Sequence, residues 1–193
     1  KGDKYFGICT LLATLPGLPM FGHGQLEGLE EKYGMEFAAP RTDEGTDEGF
    51  LAWHEQIICP LLRRRALFSG VGGFALYDVE GPGGIVEDVF ATSNRGPQGE
   101  RTIVLYNNCA EPRSGRVLRS VPFNAGSVAE PELRRRSLIE ALELPWGEGE
   151  RVGLQAFVGG GEVAWEDAAR LAREGLDVAL GPYEARVYEV LVG

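Results

Sequence analysis

The chain has 193 residues, a formal net charge of −10 and 44% hydrophobic residues, the make-up of a globular protein long enough to bury a sizeable core. The negative charge excludes a basic nucleic-acid surface, since only short arginine runs oppose it. Cys9, Cys59 and Cys109 are odd in number and form no CxxC or metal spacing, so neither metal nor cofactor is expected, and reduced thiols in a cytoplasmic compartment are.

Residues 3–15 read as a helix that is apolar on most sides, as in a helix buried within a larger body. The nearly uncharged run 5–22 is long enough to raise the question of a membrane span. Pro16, Gly17 and Pro19 break it, and no clean signal-peptide cleavage site follows, so no membrane contact is expected. Lys1 stands where a complete chain would carry Met, as in a truncated or processed chain. Residues 18–21 are too few for a helix and fit a short buried parallel strand. Gly22 and Gly24 then allow a sharp turn beside His23 and Gln25. Barrels of the α/β type present polar side chains at strand ends in this way.

Residues 25–47 read as loop, with a helical turn in 26–35 that Gly34 would stop. Thr46 is the expected N-cap of the next helix, with Asp47 and Glu48 in its first turn. Phe50, Trp53, Ile57 and Leu61 form its apolar stripe, and Pro60 is expected to kink it. From residue 69 the pattern becomes strand-like. The runs 74–79, 87–93, 102–107 and 116–121 are separated by glycine, proline and asparagine clusters, which indicates an antiparallel sandwich. A helix over 131–144 with proline near its start follows, then a strand over 152–158 and a helix over 162–174 ended by Gly175. Strands over 176–180 and 184–192 complete the chain; the last alternates and reads as a closing edge or sandwich strand.

Several of these segments resemble one family in one order. Leu11-Leu12-Ala13-Thr14-Leu15 followed by Gly17-x-Pro19-x-x-x-x-Gly24 resembles the seventh helix and eighth strand of the α-amylase family of glycoside hydrolases. Glu55-x-x-x-x-Pro60-Leu61-Leu62-Arg63-Arg64-Arg65-x-Leu67-Phe68 resembles the eighth helix of a bacterial subgroup. Phe90-x-x-x-Asn94-Arg95, Val104-Leu105-Tyr106-Asn107-Asn108 and Glu174-Gly175-Leu176 resemble parts of its C-terminal domain. The resemblance implies an α+β chain. Residues 1–68 would be a helix–strand–helix remnant of a (β/α)8 barrel, and 69–193 an antiparallel β-sandwich with one or two inserted helices. It also implies the tail of a larger enzyme that acts on α-glucans in carbohydrate metabolism. The family's catalytic carboxylates lie on earlier barrel strands, so no catalytic residue is expected here and the isolated chain is expected to be inactive. The implied partners are an α-glucan, reached through the parent barrel, and a second copy through the apolar surface that missing strands would leave exposed.

His23, Gln25 and Glu27 are the expected sugar-binding groups at the strand end, against the alternative that they serve loop hydrogen bonds. The family often carries an acidic residue where Gln25 stands. Trp146, between Pro145 and Gly147, is the expected stacking platform, against the alternative of a loop aromatic covering the core. Trp165 is a weaker platform at a helix start, and Trp53 falls on the core stripe. His54 reads as structural. Gly70-x-Gly72-Gly73 and Gly159-Gly160-Gly161 lack the phosphate-loop lysine and read as turns. A second functional reading is a stand-alone carbohydrate-binding or interaction module using Trp146 and Trp165.

Overall fold

The computed structural model describes residues 2–31, 39 and 41–193. Lys32, Tyr33, Gly34 and Met35, part of the expected helical turn and polar loop, lie outside them. Helix α1 spans Asp3–Thr14 and buries Gly7, Cys9, Thr10, Ala13 and Thr14. A Cβ at Gly7 would overlap the ring of Tyr106, so glycine lets the helix lie directly on the sheet below. The strand expected over 18–21 does not form. A strand needs a hydrogen-bonded neighbour, none of the described residues offers one, and Leu18 and Met20 are 83% and 75% exposed.

Helix α2, Glu48–Trp53, is capped by Asp47 rather than Thr46; its carboxylate accepts the Phe50 N–H at 3.0 Å. A π turn follows over His54–Ile58, then α3 over Cys59–Arg63 and α4 over Arg65–Phe68. The π turn is how the chain accommodates Pro60. The Cys59 N–H reaches back to the His54 carbonyl, and the proline falls in the first turn of α3, where it has no hydrogen bond to lose. Arg65 donates to the carbonyls of Ala13 (2.7 Å), Leu15 (2.6 Å) and Gly17 (2.8 Å), closing the open end of α1.

The sheet strands are β1 Phe74–Gly81, β2 Gly84–Ile85, β3 Val89–Arg95, β4 Arg101–Asn107 and β5 Arg113–Ser120. A two-residue ribbon, β6 Phe123–Asn124 with β7 Leu133–Arg134, leads into α5, Leu138–Leu142. Then come β8 Arg151–Ala156, β9 Ala164–Asp167, α6 Ala168–Glu174, β10 Leu176–Leu180 and β11 Ala185–Val192. The helix expected over 131–144 is thus reduced to α5. It starts at Ser137, which shares a capping box with Glu140. Trp165 lies in a strand, not at a helix start.

Apart from the β6–β7 ribbon, these strands pair antiparallel in one sheet of order β10-β5-β1-β3-β4-β11-β8-β9, with β2 folded back on β1. The expected two-sheet sandwich is therefore a single curled sheet, and β11 is an interior strand between β4 and β8. Twist accumulated over eight strands curls the sheet around its own helices. Helix α6 packs on β5 and on β9, near opposite ends of the strand order. Its Arg170 pairs with Glu166 of β9 and Asp177 of β10, the two edge strands.

The concave face holds the larger core. Val79, Ile103, Leu105, Val117, Val152 and Val178 from the sheet meet Leu138, Leu142 and Leu171 from α5 and α6. Tyr77 and Ser93 share a 2.7 Å hydrogen bond there, and burial pushes the Tyr77 phenol up to about 12. The convex face carries the other helices. Cys9, Ala13, Ile58, Leu61, Leu67 and Phe68 pack on Val104 and Val187. Strands β3 and β4 are buried on both faces for this reason.

Candidate functional site

The residues expected to form a site fall into two places. His23, Gln25 and Glu27 lie beside the convex-face helices, and Trp146 lies by α5 and α6 on the concave side. His23 is exposed, while Gln25 and Glu27 are half-buried.

Gln25 belongs to a hydrogen-bond chain that starts at a buried histidine. His54 is fully buried, and its Nδ1 faces the Phe50 carbonyl at 2.8 Å, so Nδ1 carries the ring hydrogen. Nε2 is left to accept from the Tyr5 hydroxyl at 3.0 Å. The Tyr5 oxygen accepts from Gln25 Nε2 at 3.2 Å, and Gln25 Oε1 accepts the Gly22 N–H at 2.9 Å. Burial pushes the Tyr5 phenol well above its usual range, and a hydrogen bond to Cys9 pushes it further. The chain ties the 22–25 turn to α1 and α2. Both ends of the Gln25 amide are engaged inside the protein. His54 is structural, as its sequence setting implies. The Glu27 carbonyl accepts the Asp47 N–H at 2.9 Å, which pins the same loop to the start of α2.

Trp146 is 67% exposed in the connection between α5 and β8. It stands at a groove of about 500 Å³ whose walls are β5 (Leu118, Arg119), α5 (Ile139, Glu140) and α6 (Ala172, Arg173), with Arg135 at its margin. Arg135 donates to Asp78 at 2.9 Å and to the Ser120 carbonyl at 3.2 Å. Glu140 accepts from the Ser137 N–H at 2.7 Å and the Ser137 hydroxyl at 2.9 Å, and these bonds hold its carboxyl below the usual range. Arg119 and Arg173 are exposed and form no ion pair among the described residues. Sequence reading singles out Trp146 as an aromatic platform, whereas Arg119 and Arg173 are brought beside it only by the fold. Trp165 is partly covered by the Arg151 guanidinium, 5.6 Å from its ring centroid. Trp53 stacks on Phe6 at 3.5 Å between centroids, so one face of its indole is used in packing.

A smaller recess of about 270 Å³ between α1 and β11 is lined by Phe6, Trp53, Tyr183 and Glu184. Glu184 is already held by Arg186 at 2.5 Å and by the Gly181 N–H at 2.7 Å. Among the described residues no group of histidine, cysteine, aspartate and glutamate side chains is arranged to hold a metal, and no helix is long and apolar enough to cross a membrane.

No protein-family model matches the chain, and no curated protein matches it. Solved structures do. A variant of AmyP in complex with maltotriose aligns with a TM-score of 0.51 at 13% identity, over 97% of this chain and 34% of that one. The trehalulose synthase MutB from Pseudomonas mesoacidophila MX-45 aligns with a TM-score of 0.35 at 18% identity, over 74% of this chain and 18% of that one. The chain spans about a third of the length of AmyP and less than a fifth of that of MutB. The resemblance to the α-amylase family therefore holds at the level of fold, across nearly the whole chain.

Proposed function

We propose that the chain is the C-terminal portion of an α-amylase-type glycoside hydrolase acting on α-glucans, and that its own role is structural. Residues 1–68 complete the barrel of the parent, and 69–193 form the domain that braces it. The observation that carries this reading is an apolar strip facing away from the sheet. Ile8 and Leu15 on and just after α1 are 49% and 37% exposed, and the strip continues through Leu18 and Met20. Each Å² of such surface covered by neighbouring strands contributes roughly 25 cal/mol. Residues 18–21, unpaired here, take a strand's place once a neighbouring barrel strand supplies hydrogen bonds. Likeness of fold to AmyP supports the same reading. Retaining chemistry needs a pair of carboxyl groups about 5 Å apart, and in this reading the parent's earlier strands supply them. Without those strands the same strip is the surface through which two copies associate.

The test is an immunoblot and intact mass of the native protein from its source cells, with an α-glucan cleavage assay on the captured species. A species far above 21.0 kDa that cleaves α-glucan is the expected result. A native species of 21.0 kDa overturns the proposal. The exposed Trp146 favours the second reading in that event, a carbohydrate-binding module without catalysis.

A further inference from the structure

We propose that the groove between β5, α5 and α6 binds a phosphate-bearing sugar, with the Trp146 indole under the sugar ring and the Arg119 and Arg173 guanidiniums on the phosphate. This site stands whether or not the chain belongs to a glycoside hydrolase.

The argument rests on which hydrogen-bonding groups the groove has to offer. A guanidinium donates and never accepts. Arg119, Arg135 and Arg173 therefore give the groove many donors. Glu140 is the one carboxylate in the lining, and its Oε2 already takes two hydrogen bonds from Ser137. A neutral sugar presents hydroxyls that donate as well as accept, and its donors would find few partners here. A phosphate monoester presents only acceptors and carries the opposite charge. Planar guanidiniums also match phosphate oxygens in pairs.

Charge selects the same ligand. The chain is −10 overall, yet this lining carries three arginines against one glutamate. Arg135 is held by Asp78, which leaves Arg119 and Arg173 from two different elements without an ion pair among the described residues, Glu140 acting on Arg119 only at longer range. The lining therefore carries an excess of positive charge, which an anion lying between the arginines offsets. Trp146 sets the rest of the ligand. An indole two-thirds exposed at the mouth of a 500 Å³ groove offers one flat apolar face. The apolar C–H face of a pyranose lies against such a surface.

The test is titration calorimetry of the full chain with glucose 6-phosphate, maltose, adenosine monophosphate and inorganic phosphate. Glucose 6-phosphate binds and maltose does not. The Arg119→Ala/Arg173→Ala double variant weakens glucose 6-phosphate by about tenfold or more, the loss expected for charged hydrogen bonds. Trp146→Ala weakens glucose 6-phosphate while leaving the weaker binding of inorganic phosphate unchanged. Added salt weakens all phosphate binding. The three side chains are exposed, so unchanged thermal unfolding confirms that the variants stay folded. Maltose binding as tightly as glucose 6-phosphate overturns the proposal, as does no binding of the phosphate ester. Equal affinity for inorganic phosphate, or tighter binding of adenosine monophosphate, overturns the assignment of a sugar. Undiminished binding by the double arginine variant removes the arginines from the site.

Discussion

The two faces of the sheet are finished in different ways. On the concave face, α5 packs on β3 and β5 and α6 on β5 and β9, and the seal is almost wholly aliphatic. On the convex face the cover comes from the first 68 residues, and its packing is mixed. Tyr5, Phe6, Phe50 and Trp53 crowd around a buried histidine. Thr92 Oγ1, Thr102 Oγ1 and both amide atoms of Asn94 are buried on β3 and β4 without a hydrogen-bond partner among the described residues. Apolar side chains meanwhile point outward from α1 and the segment after it. The concave core is held by aliphatic packing. The convex layer depends on hydrogen bonds between distant segments and presents a surface suited to further cover.

The sharpest way to separate the faces is to delete matched apolar side chains. Leu142 is fully buried in the concave core. Leu142→Ala is expected to cost about 2–5 kcal/mol in chemical denaturation, through lost burial and a residual cavity. Met20→Ser, at 75% exposure, is expected to stay within about 0.5 kcal/mol of the parent chain. Met20→Ser also trims the apolar strip, so binding of an apolar dye falls. A large loss from Met20→Ser would mean that the strip is already covered, and the contrast would fail.

A smaller effect tests what holds the convex layer. In Tyr5→Phe the buried His54 Nε2 loses its donor and Gln25 Nε2 loses its acceptor. Leaving such groups unsatisfied costs about 1–3 kcal/mol. Hydrogen exchange should report the loss in α1 and α2 first and leave β10 and β5 protected. Uniform loss across both faces would show one cooperative unit and erase the distinction.

The strands were legible where one face alone is buried. Leu176, Val178 and Leu180 alternate with Asp177 and Ala179, and the strand runs over Leu176–Leu180 as expected. Period-two patterning is a local signal of burial on one side. Residues 131–144 misled because Pro131, three arginines and a leucine stripe all suit a long helix. The signal for the shorter one was present as Ser137 and Glu140, three apart ahead of an apolar run. Residues 18–21 misled for a deeper reason. Their apolar run fits a strand, but a strand exists only with a partner elsewhere in the chain. The same limit hid the curl of the sheet, which brings its two edge strands within reach of Arg170. Trp146 was legible as a loop aromatic, whereas Arg119 and Arg173 become neighbours of it only through the packing of α5 and α6.

The smallest effect concerns how the concave face caps its own helix. Ser137 bonds hold the Glu140 carboxyl below the usual range, so its folded pKa lies under its unfolded one. A group of that kind adds stability above the unfolded pKa and loses it as pH falls through the folded value. The unfolded reference is 4.5. Glu140 is largely exposed, so solvent screening keeps the contribution below about 1 kcal/mol. Glu140→Gln keeps a side chain of the same shape and removes the charge. The stability difference between the parent chain and this variant is therefore expected to be constant above about pH 5.5. It should shrink steadily as pH drops below 4.5, because the protonated glutamate then resembles the glutamine. A difference that does not change with pH would mean that the capping bond, not the charge, is what the concave face gains from Glu140. The short helix α5 would then rest on geometry alone, as the aliphatic seal beneath it does.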